Sequence, residues 1–530
     1  MKSFGPVSHE KFTGTFDAKA RKHLLSRTLF GISLKDVQKF EKYNLDQAIN
    51  ELVKVAPTPN PPVNHYESVV KDTTGVALGQ TWVNALYGDG TVNSRRQQSL
   101  KAWWILQMHF QTTTIHEKMC LFWHNHFATE ISNYNDARMG YKYLNTVRKH
   151  ALGNFKDFVK AMTLEPAMLI YLNGNQNTKT APDENYAREL QELFTLGKGP
   201  NSKYTEDDVK SAAKVLTGYR VNRDTVTSYF QADRHDATDK KFSAFFGNKT
   251  IIGHTGDFAQ NELDELLTMI FSVEEVSLFI VRKLYIFFFY YEITAEIEEK
   301  FIVPIAKIFR DSKFEIAPVL KAMFSSKHFF DPELHGAVIK SPVDLILGVM
   351  RVFEPTWPVY ENYILEFYQL ANDIGGIADK GEQFLGDPPS VAGWPAYYQS
   401  PVFHEIWINS TTLPQRTKAS DNFIAKGLKR NNQTLSFDPI TFISKLRNPS
   451  DPNALIEELT TLFFQIDFSA KTKSDLKTDF LLDNQASDYY WTEIWTAAKE
   501  KPTNTNLSLV NTKLRKLLTY LMDLPEYQLH

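Results

Sequence analysis

Apolar residues recur along most of the chain at intervals of three and four, the signature of helices that bury one face. This pattern predicts two short helices within 18–53, the second opened by the capping sequence Ser33-Leu34-Lys35-Asp36. Further helices are predicted over 95–111, 135–149, 154–163 and 183–197. Thr114 with Glu117 three residues later reads as a capping box that opens another. Helical periodicity returns over 262–353 and again beyond Asp421, with breaks at 448–452 and near Thr503. The aromatic run Leu284 to Tyr291 is far shorter than the ~18 apolar residues needed to cross a bilayer, so it reads as a buried helix. No apolar run reaches that length, and no transmembrane segment is expected.

Three stretches break the helical texture. Residues 56–62 carry four prolines and cannot be helix. Alternation over 225–230, and the run 242–252 with Gly247-Asn248 inside it, predict a strand and a hairpin. Residues 375–401 are rich in Gly and Pro and read as an ordered loop. The expected fold is mostly α: one large multi-helix domain with a small β-hairpin insertion near 225–256 and a helical C-terminal extension. The expected division is an N-terminal helical segment (1–55), a Pro-rich connector (56–64), a main helical domain (65–425) and the extension (426–530).

Composition narrows the function. With 530 residues, 43% of them hydrophobic, the chain can bury a large core. Cys120 stands alone, which excludes an intramolecular disulfide framework and a zinc site built on several thiolates. Lys and Arg number 59 against 62 Asp and Glu, so no electrostatic argument favours nucleic-acid binding. No apolar segment follows Met1 to Pro6, so no leader is read. The expected compartment is the cell envelope if a leader was removed or a partner supplies export, and the cytoplasm otherwise.

Four clusters carry candidate chemistry. The first is Trp123-His124-Asn125-His126-Phe127. In a continuous helix residues two apart point ~200° from one another, so the two histidines reach one metal only at a frayed end. The alternative is that they cap carbonyls or pack in a polar core. In the second, the 183–197 helix, Asn185, Glu189 and Glu192 form a polar stripe bordering an apolar one, with Arg188 beside it. Carboxylates at such an edge need an Arg, a protonated His or a metal. Asn173 and Asn177 precede this helix in an amide-rich turn suited to capping or to polar ligands. The third is His235 with Asp236, and the fourth is the stiff loop that carries Trp394, followed by Trp407.

These clusters fall within longer motifs that occur in one order. They are His23-Leu24-Leu25-Ser26-Arg27-Thr28-Leu29-Phe30-Gly31, Glu117 to Thr129, Glu184 to Gly197, Tyr204 to Val209, Lys340-Ser341-Pro342-Val343-Asp344, and Pro388 to Pro395. In these residues the chain resembles the bacterial family called "domain of unknown function 1800", over roughly 18–425. The resemblance implies a mostly helical protein of unestablished activity. It also implies frequent export and a gene neighbour of the "domain of unknown function 1501" family, which resembles sulfatases and alkaline phosphatases. Family members commonly carry Glu at the position of Asp344 and Asn at that of Ser390.

Three functions remain open. The first is a metal-assisted hydrolase of carbohydrate or of phosphate or sulfate esters. There a divalent metal would be held by His124, His126 and carboxylate, with Glu189, Glu192, Arg188, His235 and Asp236 as catalytic groups and Asn173, Asn177, Asn185 and Trp394 binding substrate. The second is a non-catalytic accessory or chaperone partner of the sulfatase-like neighbour. The third is a glycan-binding module that stacks sugars on Trp394, Trp407, Tyr397 and Tyr398.

Overall fold

The computed structural model describes residues 5–394 and 407–530. Helices dominate, and the sheets among the described residues are three two-stranded antiparallel hairpins. The architecture is therefore mostly α, in one large domain with a helical C-terminal part.

Its centre is the helix His116–His126, in which every residue is buried. A helix enclosed on all sides cannot leave polar groups in water, so each needs a partner from another element. Glu117 does not close a capping box. It pairs with Arg148 at 2.8 Å across the interior. The helix has no side-chain N-cap; the Thr114 hydroxyl accepts from the His116 amide at 3.4 Å. The His116 ring spans the Ala56 amide (2.9 Å) and the Arg148 carbonyl (2.7 Å).

Around this axis lie Gly90–His109, opened by Asp89, Ala137–His150, and Phe155–Thr163, opened by Asn154. The aromatic run lies in and just beyond the buried helix Glu275–Phe288, as its composition predicts. The segment 18–53 forms three helices in place of the expected two: Ala18–Thr28, Leu34–Phe40 and Leu45–Leu52. The third has its own capping box, Asn44 with Gln47. Helix Ile364–Lys380 runs straight through Gly375-Gly376, so the loop begins only at Gly381. Packing of this helix against Gly90–His109 outweighs the ~1 kcal/mol propensity cost of each glycine.

In the β insertion, Thr227–Phe230 pairs with Tyr219–Asn222, a strand the sequence pattern did not reveal. Lys240–Lys241 pairs with Thr250–Ile251, with Gly247 and Asn248 both left-handed at the turn. A third hairpin, Leu428–Arg430 with Gln433–Leu435, was also not expected.

Two close approaches join the ends of the chain to the centre. Gly31, at φ +114°, lies against helix Pro342–Phe353, where a Cβ would stand 2.5 Å from the Gly348 Cα. Residues 528–530 pair antiparallel with 338–340, through His530 amide to Val338 carbonyl (2.9 Å) and Lys340 amide to Gln528 carbonyl (2.8 Å).

Candidate functional site

The polar stripe expected on one long helix sits on a distorted one. An α-helical turn, Asn185–Glu189, opens into a π-helical segment, Leu190–Thr195. Asp183 starts it by accepting from the Asn185 amide at 2.8 Å. Wide turns of this kind displace carbonyls from the regular ladder and are often found at functional positions. Here buried side chains collect them: the Leu193 carbonyl accepts from Lys283 Nζ at 3.2 Å and the Phe194 carbonyl from His126 Nε2 at 3.1 Å.

On the outer side, Arg188 is bidentate to Glu206 (2.7 and 2.8 Å) and also meets Glu184 at 3.1 Å and Glu192 at 3.7 Å. Glu192 is further paired with Lys198 at 2.5 Å. Glu189 is half-buried, and burial, then repulsion from Glu192, raises its pKa. Asn185 is exposed.

The two histidines serve separate surroundings. His126 gives Nε2–H to Phe194, and its Nδ1 accepts from Lys283 at 3.0 Å, so both ring nitrogens are engaged. His124 Nδ1 meets the Tyr143 hydroxyl at 3.0 Å, and that hydroxyl donates to the Phe127 carbonyl at 2.7 Å. The His124 ring is wedged edge-on between Trp104 and Trp394. Burial drives the His124 pKa down to about 3 and that of His126 well below the usual range, so both are neutral at pH 7. As placed, the His126 lone pair is taken by Lys283, so this arrangement does not offer both histidines to one metal. Among the described residues no group of three or more His, Cys, Asp or Glu side chains is placed to hold a metal.

His235 and Asp236 belong to a buried cluster under the hairpins. His235 Nε2 lies 3.2 Å from Glu262 Oε1, and Lys240 Nζ lies 2.5 Å from Glu262 Oε2. Burial opposes ionisation of Asp236, but the hydroxyl and amide of Thr238 hold its pKa below the usual carboxylate value.

The other residues expected to bind ligand lie in varied surroundings. Asn177 is buried, donates to the Ala213 carbonyl at 2.8 Å and accepts from the Asp183 amide at 2.9 Å. Asn173 is a left-handed turn residue at φ 59°. Trp394 is 1% exposed and Trp407 is 3% exposed, so neither offers a face to a sugar. Tyr397 and Tyr398 lie outside the described residues. Trp394 is held by Asn125, whose Oδ1 accepts its amide at 2.6 Å. Gly393, at φ +83°, allows this approach, since a Cβ there would stand 2.2 Å from the same oxygen.

A further constellation was not singled out from the sequence. The Lys118 ammonium is paired with Asp344, which also accepts from the Ser341 hydroxyl at 2.9 Å. Electrostatic contact with Asp344 extends to Arg27, Lys340 and Arg416. Beside them is a cavity of about 40 Å³, lined by Lys22, Ser26, Lys340, Asp344, Gln465 and His530 among others.

The family described as "Protein of unknown function (DUF1800)" matches residues 23–529. The chain belongs to this family. No curated protein and no solved structure matches it. The DUF1800 match runs well past residue 425, where the recognisable motifs stop, and takes in the C-terminal helices. The structure brings three of the motifs together at Asp344: Arg27 comes from the first, Lys118 from the second, and Lys340 with Asp344 itself from the fifth. The signal that could have found this was the recurrence of single basic residues inside apolar motifs, Arg27 in His23–Gly31 and Lys118 in Glu117–Phe127.

Proposed function

We propose that the protein is a non-catalytic accessory partner of a sulfatase- or alkaline-phosphatase-like protein of the "domain of unknown function 1501" family. One observation carries this reading: several of the polar motif residues are paired with other side chains or with the backbone inside the core. Glu117 pairs with Arg148, Lys118 with Asp344, Asn125 with the Trp394 amide, and His126 with Lys283 and Phe194. A catalytic group must meet substrate, whereas side chains paired inside the core fix one fold and one surface. Co-expression with the sulfatase-like neighbour, followed by affinity capture and light scattering, tests it. A stable complex of defined stoichiometry is expected; a chain that stays monomeric in the presence of the neighbour overturns the reading.

One observation favours the hydrolase reading. Glu189, with its raised pKa, stands beside Glu192, which is paired with Lys198, an arrangement that suits a general acid next to a fixed carboxylate. Under that reading the purified chain hydrolyses sulfate or phosphate esters or polysaccharides, and Glu189→Gln abolishes the turnover while leaving the melting temperature in place. Inactivity across that panel removes it.

A further inference from the structure

The cluster around Asp344 has an imbalance of charge. Arg27 is 1% exposed, Lys118 2% and Arg416 3%, and the side chain of Asp344 is 7% exposed. Lys22 and Lys340 stand at the rim, partly open to water. Four cationic side chains, Arg27, Lys118, Lys340 and Arg416, thus gather near Asp344, which is already committed to Lys118 and Ser341, while Lys22 donates to the Thr461 and Phe464 carbonyls and feels Asp467. A buried charge without a counter-charge is unfavourable, so an arrangement of this kind calls for a further anion.

Two of the buried guanidiniums near Asp344 keep donors without acceptors, although neither Arg27 nor Arg416 lines the cavity itself. Arg27 gives Nη2 to the Leu334 carbonyl at 2.6 Å, while its Nε and Nη1 find no acceptor among the described residues. Arg416 gives Nε to Gln528 and Nη2 to the Lys340 carbonyl, both at 2.8 Å, and its Nη1 is likewise without an acceptor. Fully buried guanidinium nitrogens without acceptors are uncommon and need an explanation. Lys340 Nζ donates to the Tyr527 carbonyl at 2.7 Å and has donors to spare.

The cavity beside this cluster has Lys340, Lys22 and the Asp344 carboxylate among its lining residues. Its volume of about 40 Å³ takes about three water molecules, the scale of a small oxyanion. Ser26, Gln465 and the His530 ring add neutral polar atoms to its walls.

We propose that this cavity is a binding site for a small tetrahedral oxyanion, phosphate or sulfate, held by Lys340 and Lys22 at the rim and drawn in by the field of Arg27, Arg416 and Lys118. Charge-assisted hydrogen bonds from Lys and Arg are the strong kind for such anions. Lys340 supports the assignment: burial pushes its pKa down to about 7, so an anion that keeps it protonated binds more tightly as pH falls toward neutrality. The site stands independently of the accessory reading, since a partner-free chain binds the anion equally well.

Isothermal titration of the full chain with sodium phosphate and with sodium sulfate, at ionic strength matched with sodium chloride, tests the proposal. One of the two is expected to bind with one-to-one stoichiometry and to raise the melting temperature, with chloride inert. Lys340→Gln and Lys22→Gln are each expected to weaken binding about ten-fold or more while circular dichroism stays unchanged. Lys471→Gln, on an exposed helix, leaves binding intact. The absence of heat and of stabilisation with both anions overturns the proposal and assigns the charge balance to the chain's own groups, chiefly proton loss from Lys340. Equal binding by the wild type and both rim variants overturns it too.

Discussion

At the scale of single residues, the protein is organised by polar groups that burial forces into pairs. Arg148 illustrates the energetics. It holds Glu117 at 2.8 Å, with both side chains under a tenth exposed. Removing one partner leaves a buried charge without its counter-charge. Arg148→Met is expected to cost about 3–5 kcal/mol, and the double variant Arg148→Met, Glu117→Leu should recover much of that loss, read from urea midpoints. Lys283 gives a pH test. Burial pulls its pKa down to about 7, against ~10.4 in an unfolded chain. Between those values the unfolded chain keeps a proton that the folded chain has released, so stability rises with pH through that window. Lys283→Met should remove about 1.4 kcal/mol per pH unit from the slope between pH 7 and 10, measured as urea midpoints at successive pH values.

Residue identities were readable at this scale, but partners were not. Glu117 sits three residues after Thr114, which favours a local capping role, and its actual partner lies 31 residues away. Lys118 and Asp344 are separated by 226 positions. Periodicity records which face of a helix is apolar. It does not record which distant helix that face meets. The same limit applies to Trp394, whose stiff loop could equally have presented its ring to solvent or turned it inward against His124.

At the scale of elements, helices with strong periodicity and a capping residue were legible to within a few residues. Asn154, Ser33 and Asp89 each cap a helix with an accepting side chain. What escaped was tertiary override. The Ile364–Lys380 helix keeps two glycines that local preference would place in a loop, and the 183–197 helix widens into a π segment because buried His126 and Lys283 accommodate the displaced carbonyls. The Gly31 contact offers a test of element packing. Gly31→Ala would place a Cβ at φ +114° and 2.5 Å from backbone, so a loss of about 2 kcal/mol or more is expected. The opposite substitution, Gly348→Ala, meets only the Tyr527 hydroxyl at 4.0 Å and should be neutral or stabilising by up to about 1 kcal/mol. Chemical denaturation of the two variants separates close approach of the backbone from a general intolerance of side chains.

At the scale of the whole molecule, the extension from 426 onward packs as part of one body. Thr412–Lys426 lies against Asn504–Asp523, and Phe437 stacks on Phe353 with ring centroids 4.2 Å apart. A chain stopped at residue 425 would expose those apolar faces. It is expected to aggregate or to lose its cooperative thermal transition, while the full chain melts in a single step by calorimetry. The fold class was visible in the sequence because it needs only periodicity and composition. The Asp344 constellation was not, because it is assembled from segments hundreds of residues apart.

The pairing of 528–530 with 338–340 has a consequence for the order of events in synthesis. The His530 ring contacts the Ser26 carbonyl at 3.1 Å, a separation of 504 residues along the chain. At ~5–20 residues per second, a ribosome takes on the order of half a minute to a hundred seconds to bring the second of these residues out after the first. Throughout that interval the first helix has made its apolar face but not met the segment that closes over it. The wall of the cavity thus closes only long after the first helix has been made.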